Sequence, residues 1–306
     1  MRLVRFFSEE ESHLGLAEND RIFDLTSASQ ELHGDRLTSP IQLMGDAISP
    51  NSLARLATFA ASEDRFTSRR SDVRLDAPIR DVPKLLALAG NFRKHVEESG
   101  FRAVQSQDII TPQVFLKPPS TTINAPGGSI ALRPRNKFLD WEVELAVIIG
   151  RRGRNVSVAD AMSYVFGYSV INDVSERELN GDHVGRTVRE FDPFFDWLLG
   201  KWFDGSAPLG PEIVTADEIG NPHALNLRLS LNGTVMQSGN TAQMIFDIPR
   251  TIEYISSVVT LEPGDVIAMG TPEGVGKARG IRLKPGDMMR AEIDGISILE
   301  TSITGE

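Results

Sequence analysis

The segment Phe138-Leu139-Asp140-Trp141-Glu142-Val143-Glu144-Leu145-Ala146-Val147-Ile148-Ile149-Gly150 ends in an unbroken apolar, largely β-branched run closed by glycine, the pattern of a buried strand. Side chains alternate across a strand, so Asp140, Glu142 and Glu144 fall on one face with Ala146 and Ile148. Trp141, Val143, Leu145, Val147 and Ile149 share the other face. Three acids in a row on one face repel one another, and burying them without a positive partner is costly. Two readings fit. Either a cation sits there, and closely spaced carboxylates suit a hard divalent ion better than lysine or arginine, or the acids lie on a solvated strand end.

The chain of 306 residues can bury a full core and divides naturally into one large unit and a small one. Hydrophobic content of 41% and charged content of 24% are those of an ordinary globular protein. The absence of cysteine excludes disulfides, thiolate metal sites and a cysteine nucleophile. Net charge is −10, from 42 acids against 32 Lys and Arg, which disfavours nucleic acid or an anionic membrane as partner. The charged start Met1-Arg2-Leu3-Val4-Arg5 lacks the apolar run of a signal peptide, and no window approaches the roughly 20 apolar residues of a membrane span. A cytoplasmic location is expected.

Working outward, residues 1–75 form a small N-terminal unit with a strand at Met1–Phe7 and a hairpin around Glu18-Asn19-Asp20, and Ser71–Pro83 connects it to the main unit at 83–306. His13 and His33 are surface residues on this reading. Leu85–Gly90 is a strand, and Asn91–Gly100 is a short helix on which His95 and Glu98 stand one turn apart. A carboxylate bonded to imidazole orients it as a general base, whereas a surface helix with an incidental ion pair has the same pattern. The polar segment after His95, up to about Gln113, is a candidate lid. Lys117, between an apolar strand and Pro118, either points at an anion or caps its strand.

Ser157–Asp160 has the form of a capping box opening a helix to about Tyr164. Val165–Asp173 is a second buried strand ending in an acid, with Glu176, Arg177 and Glu178 as a charged helical turn beyond it. Two carboxylates from one strand and one from the next can form a face of an octahedral oxygen site. Phe191–Gly205 is the most aromatic stretch, which reads as core or subunit interface, with Lys201 partly desolvated in it. Leu225–Gln237 is a hairpin turning at Asn232-Gly233. Asn240 or Thr241 caps a helix that Pro249 restarts. Matching turns at Leu261–Asp265 and Leu283–Asp287 each feed a strand, and Met288–Glu300 is a closing hairpin. Between the two turns, Met269–Gly276 is glycine-rich but lacks the ending of a phosphate loop; its N–H groups and the Thr271 hydroxyl can hold a carboxylate or oxyanion.

The order of Asn91-Phe92-Arg93-Lys94-His95, Phe115-Leu116-Lys117-Pro118, Asp140-Trp141-Glu142-Val143-Glu144-Leu145-Ala146, Gly167-Tyr168 through Asn172-Asp173, Gly200-Lys201 and Gly270-Thr271-Pro272-Glu273-Gly274-Val275-Gly276 resembles the fumarylacetoacetate hydrolase family, in its small bacterial-type acylpyruvase, isomerase and decarboxylase branch. The resemblance runs from about Leu88 to Ala291. It implies an α+β, mostly β fold: a mixed β-roll catalytic domain behind a small N-terminal β-containing domain, assembled as a homodimer. It implies Mg²⁺, Mn²⁺ or Ca²⁺ held by Glu142, Glu144 and Asp173. His95 and Glu98 correspond to a water-activating pair, Lys201 to a charge-stabilising lysine, and Thr271 to a threonine near the substrate carboxylate. Gly270, Asn180 and Lys117 are the further substrate contacts. Phe92 replaces a common tyrosine, and Asn180 a common glutamine.

The implied substrate is a small 2-oxo acid, and the implied reaction is hydrolysis of a C–C bond in an acylpyruvate or related β-diketo acid through a pyruvate enolate. Oxaloacetate decarboxylation and isomerisation of a 2-hydroxy-dienoate share that intermediate, and a non-catalytic metal-containing binding protein is the reading from another class.

Overall fold

The computed structural model describes residues 1–45, 50–100, 109–134, 136–180 and 185–306. It opens with a meander of β1 (Arg2–Ser8), β2 (Glu11–Glu18) and β3 (Arg21–Asp24), whose second turn is the expected one. Asp24 caps α1 (Leu25–His33) by accepting from Ser27 N, and α2 (Pro50–Ser62) packs beside that helix. β4 (Thr67–Arg69) joins β3, and β5 (Arg74–Asp76) joins β1, so the connecting segment Ser71–Pro83 contributes a strand of its own.

The main unit continues with β6 (Leu85–Ala89), α3 (Arg93–Glu98), β7 (Gln113–Lys117), α4 (Pro119–Thr122), β8 (Ile123–Asn124) and β9 (Ser129–Leu132). The opening segment of the sequence becomes β10 (Leu139–Asp140) and β11 (Val143–Ile149), with Glu142 in the step between them. Then come β12 (Val165–Asn172), β13 (Ser175–Glu176), α5 (Asp192–Leu199) and β14 (Ala207–Thr215). The chain finishes with β15 (Asn226–Leu231), β16 (Thr234–Asn240), α6 (Ile248–Val258), β17 (Val266–Ala268), α7 (Gly276–Arg279), β18 (Met288–Ile293) and β19 (Ser297–Gly305).

Twelve strands form one mixed sheet in the order β4-β3-β2-β1-β14-β12-β11-β17-β6-β7, with β5 on β1 and β8 on β14. Because β1 pairs with β14 at Arg2↔Val214, the N-terminal meander and the main unit share this sheet. A second sheet runs β16-β15-β18-β19-β9. The alternation of β11 sorts its residues between two cores. Leu145, Val147 and Ile149 pack towards the second sheet, with Leu229, Ala291 and Leu299, and towards Ile252 and Ile255 of α6. Ala146 and Ile148 pack in the opposite core with Leu3, Phe23 and Leu56. A strand buried on both faces reads as a continuous apolar run, which is why periodicity fades after Glu144. The α+β, mostly β architecture is the expected one.

Several local expectations change. The Ser157–Asp160 box forms, with Ser157 Oγ donating to Asp160, but the helix it opens is only the 3₁₀ turn Ala161–Tyr164, because Val165 at once enters β12. Glu176 pairs with Leu139 in a short ladder rather than opening a helical turn. The aromatic stretch is core only in part: Trp197 and Phe203 pack against the two cores, whereas Phe191, just before α5, and Phe194 and Phe195 on it are each more than half exposed. Residues 101–108, the middle of the candidate lid, lie outside the described residues. No helix among the described residues is long and apolar enough to cross a membrane.

Packed into a core on each face, β11 tolerates substitution poorly. Replacing the fully buried Ile148 by alanine should cost about 2–5 kcal/mol in urea denaturation, as expected for a cavity in a close-packed interior; a loss below about 1 kcal/mol would mean that the face it occupies is not a core.

Candidate metal and proton-transfer site

The ladder between β11 and β12 runs one step beyond its last strand pair. Val143 pairs with Asn172, and then Asp173 N donates to Glu142 O at 2.9 Å while Glu142 N donates to Asn172 Oδ1 at 2.8 Å. This extension brings the ends of the two strands together, so Glu142, Glu144 and Asp173 each offer a carboxylate oxygen within 4.8 Å of the others. All three are buried. The solvated strand end is thereby ruled out. Asp140 is also buried but serves elsewhere, accepting from Gly276 N at 2.5 Å, Lys277 N at 3.0 Å and Arg177 Nε at 2.9 Å.

Positive charge reaches the triad from three elements. Lys201 Nζ donates to Glu142 Oε2 at 2.6 Å and to Asp173 Oδ2 at 2.7 Å. Lys117 Nζ donates to Asp173 Oδ1 at 2.5 Å, and Arg177 Nη2 donates to Glu142 Oε1. Lys201 follows directly on α5, and Gly200 makes its approach possible: a Cβ there would lie 2.2 Å from Glu176 O. Its ammonium also stands 5.4 Å from the centre of the Phe115 ring, in cation–π range.

The acids differ in how well they are neutralised. Burial pushes the Glu142 carboxyl up, but Arg177 and then Lys201 outweigh it and hold Glu142 well below the ordinary carboxylate range. Burial pushes Lys201 down, and Asp173 and Glu142 more than restore it. Lys117 stays below the usual lysine range because burial outweighs its attraction to Asp173. Glu144 is the exception. Burial, then Asp173 and Glu142, drive its carboxyl well above the ordinary range. It accepts Gly270 N at 2.7 Å, and among the described residues no lysine or arginine forms an ion pair with it. A pocket of three oxygen donors, one of them short of positive charge, fits a hard divalent cation.

A base lies beside these acids. His95 Nδ1 and Glu98 Oε1 are 2.8 Å apart across one turn of α3, and Gly274 N holds the other Glu98 oxygen at 2.8 Å. His95 is close enough to Glu142 to help lower its carboxyl. The glycine-rich loop thus grips both parts of the site, Glu144 through Gly270 and Glu98 through Gly274. A Cβ at Gly274, whose φ is +102°, would lie 2.2 Å from Met236 O.

The expected substrate contacts are placed differently from the triad and the His–Glu pair. Lys117 is fully buried, so it is no surface strand cap, and its anion is Asp173 of the chain itself. The Gly270 N–H is engaged by Glu144. The Thr271 hydroxyl donates to Val143 O at 2.9 Å and accepts from Gln237 at 2.8 Å. Asn180, with a left-handed φ of 66°, donates its amide to Asp196 Oδ1 on α5. All four are held by the protein's own groups.

Residues 84–304 match the family model for the Fumarylacetoacetate (FAA) hydrolase C-terminal region. The chain belongs to the fumarylacetoacetate hydrolase family. Its family relatives include the mitochondrial oxaloacetate tautomerase Fahd2a of Rattus norvegicus, 36% identical over 305 residues, 98% of this chain and 90% of the relative. Among solved structures of the family, maleylpyruvate hydrolase from Sphingobium sp. SYK-6, in complex with manganese(II) and pyruvate, superposes with a TM-score of 0.74 at 29% identity, covering 100% of this chain and 99% of that one. The 5-carboxymethyl-2-hydroxymuconate delta-isomerase of Mycobacterium smegmatis does so with a TM-score of 0.73 at 29% identity, covering 100% and 99%. The family's members with these names are enzymes, and they span tautomerase, hydrolase and isomerase chemistry.

Sequence reasoning missed Arg177 and Gln237 as parts of this site. Arg177 was visible only as one charge in a run. Gln237 accepts from Val143 N at 3.0 Å and donates to Thr271 Oγ1 and Pro272 O at 2.8 Å each, fastening the loop to β11; nothing in its neighbours signals that.

The crowding at Glu144 has a consequence for the metal-free protein. In EDTA at pH 7, Glu144→Gln should be at least as stable as wild type to urea, because a neutral isostere removes like-charge repulsion and the cost of a buried charge. A loss of more than about 2 kcal/mol would mean that the carboxylate is well neutralised without a cation.

Proposed function

We propose that this chain is a divalent-cation-dependent enzyme that moves a proton at the carbon next to the keto group of a 2-oxo diacid of the oxaloacetate kind, interconverting keto and enol forms. The observation that carries this reading is the pairing of His95 with Glu98 beside the acid triad. The likeness to an oxaloacetate tautomerase over almost the whole chain supports the choice of substrate.

A divalent cation bound by Glu142, Glu144 and Asp173, Mg²⁺ or Mn²⁺ by preference, supplies Lewis-acid polarisation of the 2-oxo group. The protein's residues do the rest. With Nδ1–H donating to Glu98, the His95 Nε2 lone pair faces away from the carboxylate and is free to accept a proton. It takes one from C3, and the electron pair moves into the 2-oxo group to give the enolate. Lys201, anchored on Glu142 and Asp173, places positive charge where that oxygen develops its own charge. A proton delivered to the oxygen completes the enol; reversal gives the ketone, and no carbon–carbon bond breaks.

A second reading is hydrolysis of an acylpyruvate. It is favoured by the same His95–Glu98 pair, which can deprotonate water, and by the likeness to maleylpyruvate hydrolase. Water would attack the C4 carbonyl, the C3–C4 bond would break, and pyruvate would leave as its enolate.

Loss of enol oxaloacetate, followed by ultraviolet absorbance, should be accelerated by the protein, abolished by EDTA and restored by Mn²⁺ or Mg²⁺. His95→Ala should lower that rate by about 10²–10⁴-fold, the usual contribution of a general base. Faster release of pyruvate from an acylpyruvate than enol conversion would move the assignment to the hydrolase. A protein that binds the cation yet turns over no 2-oxo acid would be a binding protein.

A further inference from the structure

Each acid of the triad has one oxygen secured by a donor that contacts no other member of the triad. Lys117 Nζ holds Asp173 Oδ1 at 2.5 Å, Arg177 Nη2 holds Glu142 Oε1, and Gly270 N holds Glu144 Oε2 at 2.7 Å. The opposite oxygens of Glu142 and Asp173, Oε2 and Oδ2, face a common point, since Lys201 Nζ bridges them at 2.6 and 2.7 Å. Lys117 differs from the other two clamps. It is a wholly buried ammonium on β7, with Asp173 Oδ1 and, at 3.4 Å, Val174 O as its acceptors. Enclosed by protein, it has Asp173 Oδ1 as its one short acceptor, so Asp173 Oδ1 is the oxygen that would have to be surrendered for this acid to chelate through both oxygens.

Resting on the metal reading above, we infer that Lys117 is a specificity-determining residue for the cation: by clamping Asp173 Oδ1 it keeps Asp173 a one-oxygen ligand and favours a small octahedral ion over Ca²⁺. Mg²⁺ and Mn²⁺ take six ligands in tight geometry and suit single oxygens with water or substrate completing the shell. Ca²⁺ takes six to eight oxygens at longer distance and commonly recruits both oxygens of a carboxylate. Arg177 and Gly270 act in the same sense on Glu142 and Glu144, but Arg177 also holds Asp140 and the Gly270 N–H belongs to the loop backbone, so Lys117 is the clamp that can be removed with least disturbance of the loop and of Asp140.

Calorimetric titration of metal-free full-length protein with Mg²⁺, Mn²⁺ and Ca²⁺ tests this, comparing wild type with Lys117→Met and Lys117→Arg. Removing a positive charge by itself strengthens binding of every divalent ion by a similar factor, so the ratio of affinities is the decisive readout. Wild type should prefer Mg²⁺ and Mn²⁺; Lys117→Met should shift the ratio towards Ca²⁺ by about tenfold or more, and Lys117→Arg, which retains a donor, should stay near wild type. An unchanged ratio in Lys117→Met overturns the inference while leaving the metal site intact, whereas a wild type that binds no divalent ion overturns the site itself. Should Lys117→Met fail to fold, a crystal structure of Mn²⁺-loaded wild type decides: one Asp173 oxygen on the ion, with Lys117 on the other, supports the inference, and both oxygens on the ion refute it.

Discussion

Three carboxylates buried within 4.8 Å of one another cannot all carry charge unless positive charge is brought to them. The protein answers this from several directions at once. Lys117 arrives from β7, Arg177 from beyond β13 and Lys201 from the end of α5, while Gly270 contributes a backbone N–H from the loop after β17. Glu142 and Asp173 are each held by two of these groups. Glu144 has the N–H alone among them, and burial, then Asp173 and Glu142, displace its carboxyl upward. The architecture therefore produces a directed shortage of positive charge at one point, which is the physical content of a cation site.

The same backbone features that gather the acids bring the base to them. The β11–β12 ladder continues through Asp173 N to Glu142 O, so the acids lie at the ends of two hydrogen-bonded strands in the middle of the twelve-stranded sheet. The loop from Met269 to Gly276 crosses that point, and Gln237 from the second sheet ties it to Val143. By accepting Gly274 N, Glu98 is drawn to the loop and orients His95. Asp140 adds another fastening, joining Arg177 to the first residues of α7. The His95–Glu98 pair and the acid triad are thus positioned by shared hydrogen bonds rather than by separate scaffolds, which is the preorganisation that the proposed enolate chemistry needs.

Much of this was legible in the residues. Strand β11 announced itself by its apolar run, one hairpin by its Asn232-Gly233 turn, and the three acids by their spacing relative to the strand ends. The His95–Glu98 pair followed from helical spacing and stands at hydrogen-bond distance. What escaped was long-range. Glu142 lies between strands because the chain steps from the β10–β13 ladder to β11, a break that alternation alone does not reveal. Lys117 looks like any lysine before a proline until β7 is placed at the edge of the sheet with its last side chain turned inward. The aromatic run around α5 has the composition of a core, yet Phe191, Phe194 and Phe195 face outward while Trp197 and Lys201 turn in. Composition identifies apolar surface but not which side of the chain it covers.

The proposed function requires these acids to converge on a single divalent ion. Equilibrium dialysis of the metal-free protein against Mn²⁺ at neutral pH measures this directly. One tightly held ion per chain in wild type, lost in Glu144→Ala while the circular dichroism spectrum is unchanged, is the result expected. No retained ion in wild type, or equal retention by Glu144→Ala, would contradict it.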